Sequence, residues 1–284
     1  MIHERRPEGH NLEIDSRGIG VAPASYEKVA EELAKARPDV LVVFGTEAAR
    51  AAQKSTQRIA IMALADDLLG SKLVVSMPRP EGNTTGIAIF AFQLDVKRLE
   101  LLHETLPGAR RIAVFADHEP IRNIDALESA ALAFGVEIVP FAARSADEVI
   151  RAIDAMKAKG VQGVNLLASP ILSGQFNLLI RDRFDLRRLP SIWQWPEDAE
   201  AGGLIAYGPR LSVVFRQCAR QIARLLLGAK VVDMPVEQPT EFELVINLKT
   251  AKTLGVQIPP ALLFRAARSS ETVTSLIGPS RPIR

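Results

Sequence analysis

Cysteine is nearly absent: the 284 residues include one, Cys218. A single thiol excludes an intramolecular disulfide framework and any cysteine-built metal cluster or redox pair. It falls within a helical pattern, where cysteine serves as a small buried hydrophobe. Tryptophan and tyrosine are scarce, two of each. Neither charge sign dominates: 35 basic and 33 acidic side chains, dispersed along the chain, leave a net charge of +2. That balance predicts no nucleic-acid surface. No apolar run approaches the roughly 20 residues of a membrane span, and residues 1–7 lack the apolar core of a signal peptide. Repeats and low-complexity segments are missing too.

Catalytic signatures are also lacking. The chain has no GxSxG elbow, HExxH pair or Walker loop. Gly18-Ile19-Gly20 begins like a dinucleotide fingerprint, but Pro23 occupies the third glycine position and no buried strand precedes it. Ser25-Tyr26-Glu27-Lys28 matches SxxK without its partner motifs, and Ser25 reads as a helix cap. The four histidines, His3, His10, His103 and His118, show no metal spacing. His118 follows a strand end beside Asp117 and reads first as a solvated loop histidine. The paired Asp66 and Asp67 have no partner base for acid–base work. No enzyme activity, metal or cofactor is expected.

At 48% hydrophobic and 24% charged residues, the chain has the composition of a globular protein long enough for two domains. Its densest signal lies over 39–86. The run Val40-Leu41-Val42-Val43-Phe44 between Pro38 and Gly45 suits a parallel strand buried on both faces. Gly45-Thr46-Glu47 leads into an Ala-rich helix over 48–53. A second strand over 59–64 ends at Ala65-Asp66-Asp67, and Gly82-Asn83-Thr84-Thr85-Gly86 reads as a polar turn. Strand, tight turn and helix N-terminus form the place where open α/β sheets bind ligands, so these strand ends and the polar turn are expected to converge on a small molecule. Thr46 and the amides after it would favour a carboxylate; Thr46 also reads as a cap of its own helix. Glu47 would complement the helix dipole or meet an ammonium. Asp66 divides between ligand contact and loop capping.

Strands then alternate with amphipathic helices. Strands are expected over 111–115, 136–141, 163–168, 191–195 and 204–207. Helices are expected over 25–36, 94–106, 120–134, 146–160, 174–184, 209–227 and 248–254, with a short strand over 11–15 before them all. Ser145-Ala146-Asp147-Glu148 is a capping box. The pattern is α/β with parallel sheets. Asp117, Ser169 and Gln194 fall at strand ends, with Trp193, Trp195 and Tyr207 near them as an aromatic wall for a ring-bearing or apolar ligand. Alternation puts Trp193 and Trp195 on one face and Gln194 on the other, so core packing is expected for at least one tryptophan.

The stretches DVLVVFGTEAARAAQ, RPEGNTTG and PVEQPTEFELVINLKTAKTLGVQIPP, with the Asp66 loop, resemble the ABC-transporter substrate-binding family that includes bacterial tryptophan- and phenylalanine-binding proteins. The resemblance runs over about 11–264, and INLKTAKTLG and GNTTG are its most specific parts. In the Asp66 loop the family reads Gly-Asp-Pro where this chain has Ala65-Asp66-Asp67. The resemblance implies a type I periplasmic-binding-protein fold: two doubly wound parallel-sheet lobes with a ligand cleft between them. The first lobe would be 1–88 plus 208–236, the second 89–207 plus 237–264, and 265–284 a loose tail. It implies capture of a small molecule, an amino acid of aromatic or apolar kind, by hinge closure. The partners would be the ligand and ABC permease subunits, with no nucleic acid, no membrane insertion and a monomeric state. The ligand set implied is Thr46, Glu47, Asp66, Asn83, Thr84, Asp117, Ser169, Trp193, Gln194 and Tyr207. A periplasmic location follows from the family, although the first residues carry no signal peptide. On the same comparison the first lobe starts at its second strand, without a first strand and helix, and weak binding is expected of this form. A cytosolic effector-binding module of the same fold, or a degenerate copy that binds nothing, are the alternatives.

Overall fold

The computed structural model describes residues 12–118, 121 and 123–269. Contacts divide the chain into two units, 1–87 with 218–237 and 88–217 with 238–284.

In the first unit a 3-10 turn, Pro23–Ser25, precedes helix α1 (Tyr26–Lys35), and Ser25 caps it without a side-chain hydrogen bond. Strand β1 (Val40–Phe44), helix α2 (Thr46–Ser55), and strands β2 (Ala60–Ala65) and β3 (Thr84–Ala88) follow, paired in the order β1-β2-β3. β1 and β2 are parallel, Val40 opposite Ala60 through Phe44 opposite Leu64. β3 runs the same way: the Ile61 amide donates to Asn83 O at 2.7 Å, and farther along Gly86 meets Ala63. Leu41, Ala52 and Ile61 form the core, with Leu33, Val43 and Ile59 against them. Burial on both faces holds for β2, whose last five residues are all buried. It fails for β1, where Val42 and Phe44 are 41% and 47% exposed on the face opposite Leu41. The strand expected over 11–15 is reduced, among the described residues, to one bridging residue at Leu12; Asn11 lies outside them.

The second unit has helix α3 (Asp95–Thr105), strand β4 (Arg111–Ala116), helix α4 (Ile124–Ala133), strand β5 (Glu137–Ala142), helix α5 (Ala146–Ala158) and strand β6 (Gly163–Leu166). A π-helical turn, Ile171–Gln175, leads to helix α6 (Asn177–Arg187), then strand β7 (Ser191–Trp193), helix α7 (Pro196–Glu200) and strand β8 (Ile205–Gly208). Helix α8 (Leu211–Leu226), strand β9 (Glu243–Ile246) and helices α9 (Leu248–Leu254) and α10 (Pro260–Ser269) complete it. The division between units at 217/218 falls inside α8. The expected capping box forms: Ser145 Oγ accepts from the Glu148 amide at 3.3 Å, and the Glu148 carboxylate accepts from the Arg144 amide at 2.7 Å.

Six strands pair in the order β5-β4-β6-β7-β8-β9, all parallel except β9. The order reverses direction between β4 and β6, the point at which doubly wound sheets open a crevice. β4 shows why the sheet must be covered twice. Ala113 and Phe115 enter one apolar core with Val164, Leu166, Trp193 and Phe184. Ile112 and Val114 enter the opposite core with Leu127, Ile192, Ile205 and Leu262. The alternation of a strand delivers successive side chains to both.

Three expectations change here. The GNTTG segment is only half a turn: Gly82 and Asn83 turn the chain, but Thr84, Thr85 and Gly86 belong to β3, where β-branched threonine suits a pleated backbone. Helices α7 and α10 are additions to the sequence reading; Ala266 on α10 is 1% exposed, so ordered packing continues past Arg265 into the region expected to be a loose tail. The helix expected from Pro120 starts at Ile124, Pro120 itself lying outside the described residues.

Candidate functional site

In the second unit, four of the predicted residues leave four neighbouring parallel strands at their carboxyl ends. Asp117 follows β4, Ser169 follows β6, Gln194 follows β7 and Tyr207 lies at the end of β8. Asp117 and Ser169 straddle the point where the strand order reverses. Ser169 Oγ donates to Asp117 Oδ2 at 2.7 Å and accepts from the Ile171 and Leu172 amides at 3.1 and 3.0 Å. Those amides fix the hydroxyl's orientation, and the hydroxyl fixes the carboxylate. His118 Nδ1 lies 2.5 Å from Asp117 Oδ1. A carboxylate oxygen accepts about two hydrogen bonds, so each Asp117 oxygen keeps an acceptor direction for a cationic group.

Gln194 is 5% exposed, and Ser173 Oγ donates to its Oε1 at 3.4 Å. The half-buried Tyr207 ring lies 6.4 Å from that of Phe242, centroid to centroid. Phe242, 36% exposed, supplies the aromatic partner that the sequence reading sought in tryptophan. No strand-end or helix signal marks it in the sequence.

Trp193 is a correction. Its indole is fully buried, donates from Nε1 to Ser191 Oγ at 2.8 Å, and meets Phe184 edge-on at 5.9 Å. It belongs to a core. Trp195, also buried at 8%, occupies the cap position of α7. Nearby, Asp198 Oδ1 accepts from Asn177 Nδ2 at 2.8 Å, with the Arg181 guanidinium 3.8 Å away, while Asp198 Oδ2 is buried without a hydrogen-bond partner. Burial pushes its carboxyl up to about 6 against these two favourable contacts.

In the first unit, Thr46 and Asp66 occupy the carboxyl ends of β1 and β2. Gly45 takes the N-cap of α2 at φ 88°, a conformation open to glycine and costly for other residues. Its amide donates to Leu64 O at 2.8 Å, and its carbonyl accepts from the Ala49 amide at 3.1 Å. No side chain caps this helix, so the capping role considered for Thr46 is not used. Glu47 is exposed in the first turn, where its charge complements the dipole. Asp66 is half-buried. Asp67 caps this loop: its Oδ1 accepts from the Gly70 amide at 2.7 Å.

Asn83 and Thr84 stand at the other end of this sheet. Asn83 Nδ2 donates to the carbonyls of Thr56 and Ile59 at 3.0 and 2.8 Å, both ahead of β2. Thr84, 1% exposed, accepts from Gln53 Nε2 at 2.9 Å. Parallel strands place the amino end of β3 beside the amino end of β2, away from Thr46 and Asp66. Neither residue joins the strand-end group. Asn83 serves the backbone and Thr84 the Gln53 side chain, and Thr85 Oγ1 donates to Met234 O at 2.8 Å.

Among the described residues no group of three or more His, Cys, Asp or Glu side chains could hold a metal ion, and no helix is long and apolar enough to cross a membrane.

Comparison with known proteins bears on the family and the fold. Residues 7–270 match the family described as ABC transporter substrate binding protein. The chain is 26% identical over 278 residues to a tyrosine-binding protein of Clostridioides difficile, a match spanning 94% of this chain and 78% of that one. Among solved structures, a conserved domain protein of Vibrio cholerae shares 27% identity at a TM-score of 0.78, covering 91% and 88% of the two chains. An ABC domain in complex with L-Trp from Streptococcus pneumonia has a TM-score of 0.74 at 22% identity, covering 86% and 85%. The structural neighbours are type I periplasmic binding proteins, and the α/β architecture described above is theirs. The chain therefore belongs to the ABC transporter substrate-binding protein family.

Proposed function

We propose that this protein captures an aromatic amino acid outside the cytoplasmic membrane and delivers it to the permease of an ABC importer, without turning it over. The observation that carries the ligand class is the Asp117–Ser169 couple at the strand-order reversal. A fixed carboxylate with open acceptor directions suits an α-ammonium group, and charge-assisted hydrogen bonds of this kind are the strong ones. In the first unit, the amides and dipole at the first turn of α2 would favour an anionic group. Gln194 and Tyr207, backed by Phe242, would line the side-chain end. The name of the tyrosine-binding relative supports an aromatic ligand. Closure of the two units on the ligand follows if each holds one end of it, because contacts available only in the closed form shift the population toward it.

Calorimetry with L-tyrosine, L-tryptophan and L-phenylalanine tests this reading. At least one should bind, and Asp117→Asn should weaken it about tenfold to a hundredfold, the worth of a buried charge-assisted hydrogen bond. If none of the three binds, the ligand class is wrong. Unchanged affinity in a folded Asp117→Asn protein removes Asp117 from the site.

A further inference from the structure

Beneath the strand ends of the second unit lies a charge pair with no part in the ligand contacts. Arg98 on α3 is 0% exposed and Asp95 3%. Arg98 Nη1 donates to Asp95 Oδ1 at 2.6 Å and to Ala91 O at 3.0 Å, and Nε donates to Tyr207 O at 2.8 Å. The Ala168 amide donates to Asp95 Oδ1 at 3.4 Å, and Asn165 Nδ2 donates to the Asp95 carbonyl at 2.9 Å. Desolvating two ions offsets most of their attraction, and an apolar pair of similar volume does as well or better. Stability alone therefore gives little reason for ions at this place.

Their partners give a better one. Ala91 lies just after the chain passes into this unit at residue 88. Ala168 immediately precedes Ser169, and Tyr207 is itself one of the four strand-end residues. Gly208 adds Gln194: a Cβ built on Gly208 would lie 2.0 Å from Gln194 O and 3.7 Å from Arg98 Nη2. The guanidinium thus reaches the incoming segment at Ala91 and the end of β8 at Tyr207, and its counter-ion Asp95 takes the Ala168 amide after β6. Gln194 is joined only through the packing of Gly208 on its carbonyl. A planar fork of donors can hold two carbonyls and a carboxylate at fixed angles, which an ammonium cannot.

We infer that Arg98, with Asp95 as its counter-ion, is a positioning residue for ligand capture. It touches no ligand. It sets Ser169, Gln194 and Tyr207 in register with one another and ties them to the segment at Ala91. This rests on the strand-end site being where the ligand binds.

The test compares the parent protein with Arg98→Lys and with the double variant Asp95→Asn/Arg98→Met, which leaves no lone buried charge. L-Tyrosine and L-tryptophan are the calorimetric probes, and thermal unfolding without ligand is measured beside them. Both variants should bind at least about tenfold more weakly, a displaced polar contact or two, with the double variant melting within a few degrees of the parent. On a Ser169→Ala background the Arg98→Lys effect should shrink, because a residue acting through Ser169 couples to it, whereas a general loss of stability adds independently. Parent-like affinity in either folded variant, or full additivity with Ser169→Ala, overturns the inference. A parent that binds neither amino acid overturns the ligand reading first, and this inference with it.

Discussion

Asp198 shows how far one side chain can set the response of a protein to pH. Its carboxyl is pushed by burial up to about 6, although Asn177 and Arg181 both act to lower it. A carboxyl raised on folding favours the neutral form, so its stabilising contribution is complete below the unfolded value and is lost as pH rises through the folded one. The shift from 3.8 to about 6 corresponds to about 3 kcal/mol, lost progressively between about pH 4 and 6. Asp198→Asn keeps an acceptor for Asn177 and removes the ionisation. Relative to the parent, it should gain about 1–3 kcal/mol above pH 7 and little below pH 4.5. Thermal unfolding of both proteins at the two pH values checks this; a difference independent of pH would refute it. Exposed carboxylates such as Asp154, which the neighbouring Arg187 and Arg183 hold below the usual range, affect both proteins alike and cancel.

At the scale of elements, β3 is fastened by side chains that look like ligand contacts in a sequence. Gly86 belongs to the same fastening: a Cβ there would lie 1.8 Å from Ala63 O, so the strand pair closes only on glycine. Asn83→Ala should cost about 1–3 kcal/mol by leaving the Thr56 and Ile59 carbonyls without their donor. It should leave ligand affinity unchanged. Urea unfolding measures the first and calorimetry the second, and a folded Asn83→Ala that loses binding would return Asn83 to the site. Reading the sequence located the strands well because apolar runs and their punctuation are local signals, as at 111–116. That Asp117, Ser169 and Gln194 follow strands was legible, because strand ends are local signals as well. Polar residues are ambiguous between serving the backbone and serving a ligand, and only the direction of β3 resolves Asn83 and Thr84. Strand alternation raised the question of Trp193, and burial answered it. Arg98 was beyond reach: its partner Tyr207 is 109 residues away, and nothing local marks an arginine that will be buried.

For the whole molecule, the proposed closure makes a solution property measurable. Small-angle scattering with and without the tightest-binding amino acid should show a smaller radius of gyration in its presence. Tight binding without compaction would leave capture intact and discard closure. The choice of detection matters, because both tryptophans are buried and Trp193 is sealed in a core behind Phe184. Their emission should begin blue-shifted and move to the red only when that core opens. The protein thus carries an internal fluorescent gauge of its own unfolding, one that stays nearly silent while a ligand comes and goes at the strand ends.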